Sequence, residues 1–226
     1  MKFTYLAAAV ALSAVALVGC AQTDESEPTS SGNSDVVSCQ YNVSGKASGT
    51  TPVDPPPTAN VPAQGTVNVT LQLSQGPLAL TLDRGHAPCT VNSFLSLLEQ
   101  GYYTDTVCHR LTVQGIFILQ CGDPTATGSD GTGGTGGPGY RFPDEVYSDD
   151  TYPAGTVAMA NSGPDTNGSQ FFLVYQDSEL APDYTVFGQM DQDGIDLVSD
   201  IAAAGVHGSA NSEPNQKVMI EGYSMG

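Results

Sequence analysis

Val67, Val69, Leu71 and Leu73 alternate with Asn68, Thr70 and Gln72, and after Ser74-Gln75-Gly76-Pro77 the alternation resumes at Leu78, Leu80 and Leu82. A period of two puts these apolar side chains on one face of a strand, which a helix cannot do. The Gly-Pro turn joins the two runs into a hairpin. Shorter runs of the same kind follow at residues 107–111, 116–120, 155–160, 170–175 and 185–188, with Val218 and Ile220 in a closing strand. Two stretches carry helical spacing instead. After Pro88-Cys89, Thr90 reads as an N-cap, Val91, Phe94, Leu95, Leu97 and Leu98 form one face, and Gly101 suits the stop. Ile195, Val198, Ile201 and Ala202 line a second helix that ends at Gly205. About eight short strands and two helices predict a mostly β fold: a closed eight-stranded antiparallel barrel capped by two helices.

The chain before Thr66 is of another kind. Residues 3–18 are a near-continuous apolar run beside the single charge of Lys2, too short and too weakly flanked for a membrane helix, and they read as an export signal. The run ends in Leu17-Val18-Gly19-Cys20, which resembles the bacterial lipoprotein processing site. That resemblance implies a signal peptide at 1–19, a lipid anchor on Cys20 and an extracytoplasmic protein anchored to the bacterial cell membrane. Two acyl chains hold such an anchor stably where one does not. Residues 20–65 read as a tether, acidic and polar at first and then Pro-rich in Thr51-Pro52-Val53-Asp54-Pro55-Pro56-Pro57. As a flexible coil that tether would span roughly 40 Å. The folded domain is then 66–226.

Net charge is −18, with 24 acidic against 6 basic residues, which excludes a nucleic-acid partner. An exported chain can form disulfides, and Cys39, Cys89, Cys108 and Cys121 allow three pairings, which stay open. Pairing of Cys39 with a domain cysteine would lay the second half of the tether on the domain. No Cys-x-x-Cys pair is present and the three His are scattered, so neither a metal nor another cofactor is expected. The Gly-rich loop at 121–139 has no following Gly-Lys-Ser/Thr and opens no helix, so it is not a phosphate loop. A monomer is expected.

Asn161-Ser162-Gly163-Pro164-Asp165-Thr166-Asn167-Gly168 is a polar turn feeding the strand that opens Gln170-Phe171-Phe172. Met159-Ala160-Asn161 together with Asn167-Gly168-Ser169-Gln170-Phe171-Phe172 resembles the signature of the cyclophilin family of peptidyl-prolyl cis-trans isomerases. The other anchors of that family stand in the same order: Ala87-Pro88 with Asn92-Ser93-Phe94; His109-Arg110; Phe117-Ile118-Leu119-Gln120 with Gly122-Asp123; Gly134-Thr135-Gly136-Gly137; Phe142-Pro143-Asp144-Glu145; and Val186-Phe187-Gly188. The resemblance covers residues 66–226. It implies that Arg110 is the catalytic arginine, that Gln120 hydrogen-bonds the substrate backbone, and that Phe117, Ile118, Phe172 and Leu180 wall a proline pocket. It further implies that Ala160, Asn161 and Ser162 pair with the substrate chain, with Gln170 and Tyr184 also binding substrate.

The implied reaction is rotation about X-Pro bonds of exported or unfolded polypeptides. Rotation breaks no covalent bond, so it needs no nucleophile and no metal. It needs a donor aimed at the prolyl nitrogen of the twisted amide, and arginine is one. The alternative is a non-catalytic module or holdase that binds proline-containing peptides. The chain departs from the family in four places, one of them a Gly-rich loop expanded at Ala126 to Gly133. Six residues separate Arg110 from Phe117 where most members have four, Glu179 stands where many carry Trp, and Tyr184 stands where they carry His. Loss of the aromatic at Glu179 implies weak binding of cyclosporin.

Overall fold

The computed structural model describes residues 35–128, 133–208 and 211–226. The signal at 1–19, Cys20, the first part of the tether and residues 129–132 of the Gly-rich loop lie outside the described residues.

Three two-residue strands come first: β1 (Val36–Val37), β2 (Asn42–Val43) and β3 (Val61–Pro62). The alternating runs follow as β4 (Thr66–Leu73) and β5 (Gly76–Asp83), an antiparallel pair in which Leu71 faces Leu78 and Val69 faces Leu80. All four are buried, as the alternation requires. Then come α1 (Pro88–Glu99), β6 (Thr106–Val107), β7 (Arg110–Thr112), β8 (Ile118–Cys121), β9 (Tyr140–Arg141), β10 (Thr156–Met159), β11 (Phe171–Val174) and β12 (Val186–Met190). The chain closes with α2 (Gln192–Ala203), β13 (Asn211–Ser212) and β14 (Met219–Met225).

The main sheet is antiparallel throughout and has ten strands in the order β13-β7-β8-β11-β10-β12-β5-β4-β14-β6. Among the described residues its two ends do not pair with each other. The sheet is therefore an open, curled half-barrel, and the expected closed eight-stranded barrel is corrected. The reason lies in residues 107–111, which read as one strand in the sequence. Val107 pairs with Met219 of β14, whereas Arg110 and Leu111 pair with β8. The chain changes partner at Cys108-His109, and a ladder broken there cannot run round a ring. At the step itself the Cys108 N–H still donates to the Val218 carbonyl and the His109 N–H to the Gln120 carbonyl, both at 2.9 Å, and an isolated bridge from Val107 to Asp123 and the Cys108–Cys121 disulfide, with Cα atoms 3.9 Å apart, span it.

α1 lies on the concave face. Its Phe94 ring sits 5.2 Å from each of Tyr103, Phe171 and Phe187, which joins the helix to two strands through aromatic contacts. The helix starts three residues earlier than the sequence reading, with Ala87 at the N-cap and Pro88 in the first turn. Ala87 has no side chain to cap with. A distant carboxylate does it instead: Glu145 accepts from the Cys89 and Thr90 N–H groups at 3.0 and 2.8 Å and from the Thr90 hydroxyl at 2.8 Å. α2 caps itself, since Asp191 accepts from Gly194 N–H at 2.8 Å.

Residues 35–63 lie on the domain as an extended strap. Cys39 is bonded to Cys89 at the start of α1, β1 pairs with β3, and β2 pairs with β9. Tyr41 inserts edge-on between Tyr140 and Phe142, at 5.6 and 5.7 Å, and its hydroxyl donates to the Cys89 carbonyl at 2.8 Å. Gln100 receives the Asp54 N–H and donates to the Asp54 carbonyl. The polar side of α1, left bare by the helical pattern, is thus partly covered by the Pro-rich strap.

Candidate functional site

Arg110, Gln120, Phe172 and Ala158 form one row across four strands. Arg110 is opposite Gln120, Gln120 is opposite Phe172, and Phe172 is opposite Ala158. Residues directly opposite in an antiparallel pair share a face, so all four side chains stand on the convex side, away from Phe94. Ile118, two residues from Gln120, shares that face. The two extra residues between Arg110 and Phe117 do not disturb the register. They are absorbed at the hairpin tip, where Gly115 has φ 79° and Gln114 bridges Ile116.

Ile118, Tyr152, Ala158, Phe172 and Val174 make a small apolar cluster separate from the main core, with Ala160, Leu180 and Tyr184 packed on it. The Tyr184 ring meets Phe172 edge-on at 5.5 Å, and Tyr152 lies 6.3 Å from the same ring. The Tyr152 hydroxyl donates to the Tyr184 carbonyl and accepts from the Tyr184 N–H, fixing that loop. Phe117 is not part of this cluster. It packs against the main core and lies edge-on to Tyr175 at 5.9 Å, as alternation from Ile118 demands. Its N–H donates to the Ser178 hydroxyl, which ties the tip of the hairpin to the segment carrying Glu179 and Leu180. Glu179 is exposed.

A polar chain runs from the arginine. Arg110 Nη1 donates to Gln120 Oε1 at 3.1 Å, Gln120 Nε2 donates to Gln170 Oε1 at 2.9 Å, and Gln170 Nε2 donates to the Gly136 carbonyl at 2.9 Å. The two glutamines thereby orient one another, and Gln120 turns its oxygen toward the cation. Beneath lies Asp123, which accepts the N–H groups of Gly134, Thr135 and Gly136 on one oxygen and the Thr125 N–H and hydroxyl on the other. Burial pushes the Asp123 carboxyl up, but the Thr125 hydroxyl, the Gly136 and Thr125 amides and nearby His109 outweigh it and hold its pKa below the usual range. A side chain at Gly136 would collide with this carboxylate, which accounts for a glycine there.

Beside the glutamines is a cavity of about 210 Å³. Gln120, Ala160, Asn161, Ser162 and Gln170 line one wall, and residues 134–139 of the Gly-rich loop line another. Asn161 is held by donating to the Asp183 carbonyl at 2.8 Å and accepting from Gly163 N–H at 3.2 Å. The strap supplies the remaining wall through Ser44, Gly45, Lys46 and Ser48. It is fastened there by Ser44 N–H to the Gly139 carbonyl and Ser48 N–H to the Gly137 carbonyl, both 2.8 Å. No sequence signal marked Ser44 to Ser48 or Tyr152 as site residues. Among the described residues no group of three or more His, Cys, Asp or Glu could hold a metal.

Residues 67–225 match the family described as cyclophilin type peptidyl-prolyl cis-trans isomerase/CLD. The chain is 45% identical over 200 residues to a probable peptidyl-prolyl cis-trans isomerase B of Mycobacterium leprae, a match covering 82% of this chain and 65% of that one. The corresponding Mycobacterium tuberculosis protein is 45% identical over 184 residues, 58% of its length. This chain therefore spans less than two thirds of those relatives. A human peptidyl-prolyl cis-trans isomerase-like 1 is 38% identical over 161 residues, covering 70% of this chain and 93% of that protein. A crystal structure of a Cryptosporidium parvum cyclophilin type isomerase superposes with a TM-score of 0.60 at 30% identity, over 72% of this chain and 98% of that one. A second structure of that protein was solved in the presence of the dipeptide ala-pro, with a TM-score of 0.58.

Proposed function

The chain belongs to the cyclophilin-type peptidyl-prolyl cis-trans isomerase family, and on that premise we propose that it accelerates cis-trans rotation of X-Pro bonds in proline-containing polypeptides. The observation that carries this reading is the Arg110–Gln120–Phe172 row: a permanent cation, a polar amide and an apolar platform on one face. Amide resonance sets a barrier of about 18–20 kcal/mol, and uncatalysed X-Pro exchange takes tens to hundreds of seconds.

In the proposed mechanism the proline ring rests on Phe172, Ile118, Leu180 and Tyr184, and Phe117 flanks them. The chain on either side lies along Ala160, Asn161 and Ser162, and Gln120 and Gln170 hold its backbone. As the amide twists, the lone pair returns to the prolyl nitrogen. The Arg110 guanidinium donates to that nitrogen in the twisted state, whereas in the planar amide the nitrogen lone pair is delocalised and offers no acceptor. That difference in binding is the catalysis.

We further propose that the protein works outside the cytoplasm of a bacterium, with residues 1–19 as signal, Cys20 as lipid anchor, residues 20–65 as a tether whose second half is strapped to the domain, and residues 66–226 as the catalytic domain. The Cys39–Cys89 and Cys108–Cys121 disulfides support an oxidising compartment.

The test is NMR exchange on an Ala-Pro peptide with wild type and Arg110→Ala. Loss of a charge-assisted hydrogen bond of about 1.5–3 kcal/mol lowers kcat/KM by about 10- to 150-fold. A wild type that binds the peptide without accelerating exchange would make this a binding module. Undiminished activity in Arg110→Ala would remove the arginine from the mechanism.

A further inference from the structure

The chain has six basic residues against 24 acidic ones. Two of the six, Lys46 and Arg141, line the cavity beside Gln120, and a third, Arg110, is bonded to Gln120 itself. No Asp or Glu stands among the described residues lining that cavity. The Asp123 carboxylate, held by Gly134, Thr135 and Gly136 of the cavity wall, accepts five donors from residues 125 and 134–136. Lys46 and Arg141 are exposed, and neither forms an ion pair with a described residue. On a molecule of net charge −18, two of the six basic residues line this cavity and a third is bonded to a residue of its wall.

The strap makes the arrangement. Lys46 lies outside residues 67–225, the part that matches the family. It reaches the cavity because Cys39–Cys89, the β2–β9 pairing (Asn42 with Arg141, Val43 with Tyr140) and the Ser44 and Ser48 amides fasten the strap to the Gly-rich loop. Arg141 comes from β9, the strand that β2 pairs with, so one contact brings both cations to the same wall.

We propose that this cavity is a subsite for a carboxylate side chain of the substrate, borne by a residue neighbouring the X-Pro bond, and that Lys46 and Arg141 set the preference. The proposal rests on the isomerase reading above for its substrate. The opposite wall of the cavity is Ala160, Asn161 and Ser162, so a chain lying along them with its proline on Phe172 passes the cavity mouth. The long, flexible lysine and the arginine fork both reach a carboxylate entering there. The overall negative field repels acidic chains at long range, and a local cationic patch offsets that repulsion where the two cations stand.

The experiment compares peptides of the form Ac-Gly-Z-Ala-Pro-Phe-Z-NH2 in which one Z at a time is Glu, Gln or Lys and the other is Gly. Turnover is read by NMR exchange and binding by fluorescence anisotropy, with wild type and the Lys46→Glu/Arg141→Glu pair. Wild type is expected to favour Glu over Lys by about tenfold at low salt at one of the two positions, shrinking severalfold at 0.5 M salt (roughly, a Debye length of a few ångströms). The double variant is expected to reverse the order while unfolding at the temperature of wild type. Equal binding of Glu and Lys peptides by wild type, or a preference unchanged in a folded double variant, overturns the subsite. Charge preference in binding without turnover keeps the subsite and refutes the isomerase reading. Turnover without charge preference does the reverse.

Discussion

Replacing Glu145 with alanine tests how α1 is started. The Glu145 carboxylate takes two backbone N–H groups of the first turn and the Thr90 hydroxyl, and no side chain at the N-cap could replace it. Losing a cap costs about 1 kcal/mol. Losing a negative charge at a helix N-terminus costs about 0.3–1 kcal/mol more. The Thr90 hydroxyl, 0% exposed, is then left without an acceptor, for about another 1 kcal/mol. Glu145→Ala should therefore lower the unfolding free energy by about 2–3 kcal/mol, or about 5–10 °C in Tm for a domain of this size. Thr90→Val keeps the shape and both backbone bonds and should cost only about 1 kcal/mol. Urea unfolding followed by circular dichroism reads both, with the m-value unchanged. If Thr90 were the true N-cap the order would invert. A Thr90→Val loss equal to or larger than that of Glu145→Ala would refute the account, as would a Glu145→Ala change within about 0.5 kcal/mol of zero.

The disulfides should differ in weight. Cys39 and Cys89 are 50 residues apart and Cys108 and Cys121 are 13 apart, so loop-closure entropy predicts losses of about 4 and about 3 kcal/mol for the paired Cys→Ser variants; chemical denaturation that ranks them the other way would contradict this. Stability should also fall on acidification. Burial lowers the His109 pKa, the Arg110 charge adding to it against Asp123, Glu213 and the Val107 backbone. The unfolded chain then binds the proton more readily than the fold. His109 stability is fully present above the unfolded value of about 6.5 and is lost as pH drops through the lower folded value. The depressed Asp123 carboxyl acts in the same direction in a more acid window, its contribution present above about pH 4 and lost below. Urea titrations from pH 8 to 3 should show two falling segments, and His109→Phe should flatten the first; a first segment that survives the substitution assigns it to another group.

Much of the site was readable because it rests on local rules. Strand alternation puts Ile118 and Gln120 on one face, and the hairpin register brings Arg110 opposite Gln120 whatever the tip length. Alternation also turns Phe117 to the other side from Ile118, which a list of pocket positions does not reveal. The hydrogen-bonded path through Gln170 to Gly136 was not readable. It joins residues 34 apart, and nothing local requires either to meet the other. The same holds for the place of Asp123 beneath residues 134–136: the resemblance marked Gly122-Asp123 and the glycines announced a loop, but nothing local required the one to organise the other.

Residue patterning alone decided the elements of this protein: which runs are strands, where two helices lie, and which side chains face the core. Those follow from backbone period and side-chain polarity, which act within a few residues. Tertiary structure alone decided how the elements meet. It split residues 107–111 between two partners and left the sheet open. It paired Cys39 with Cys89, capped α1 with Glu145 and carried Lys46 to the wall of the cavity. Each of these is a contact between segments far apart in the chain, chosen by shape and by the need of buried polar groups for partners, and neither is written in any short stretch of sequence.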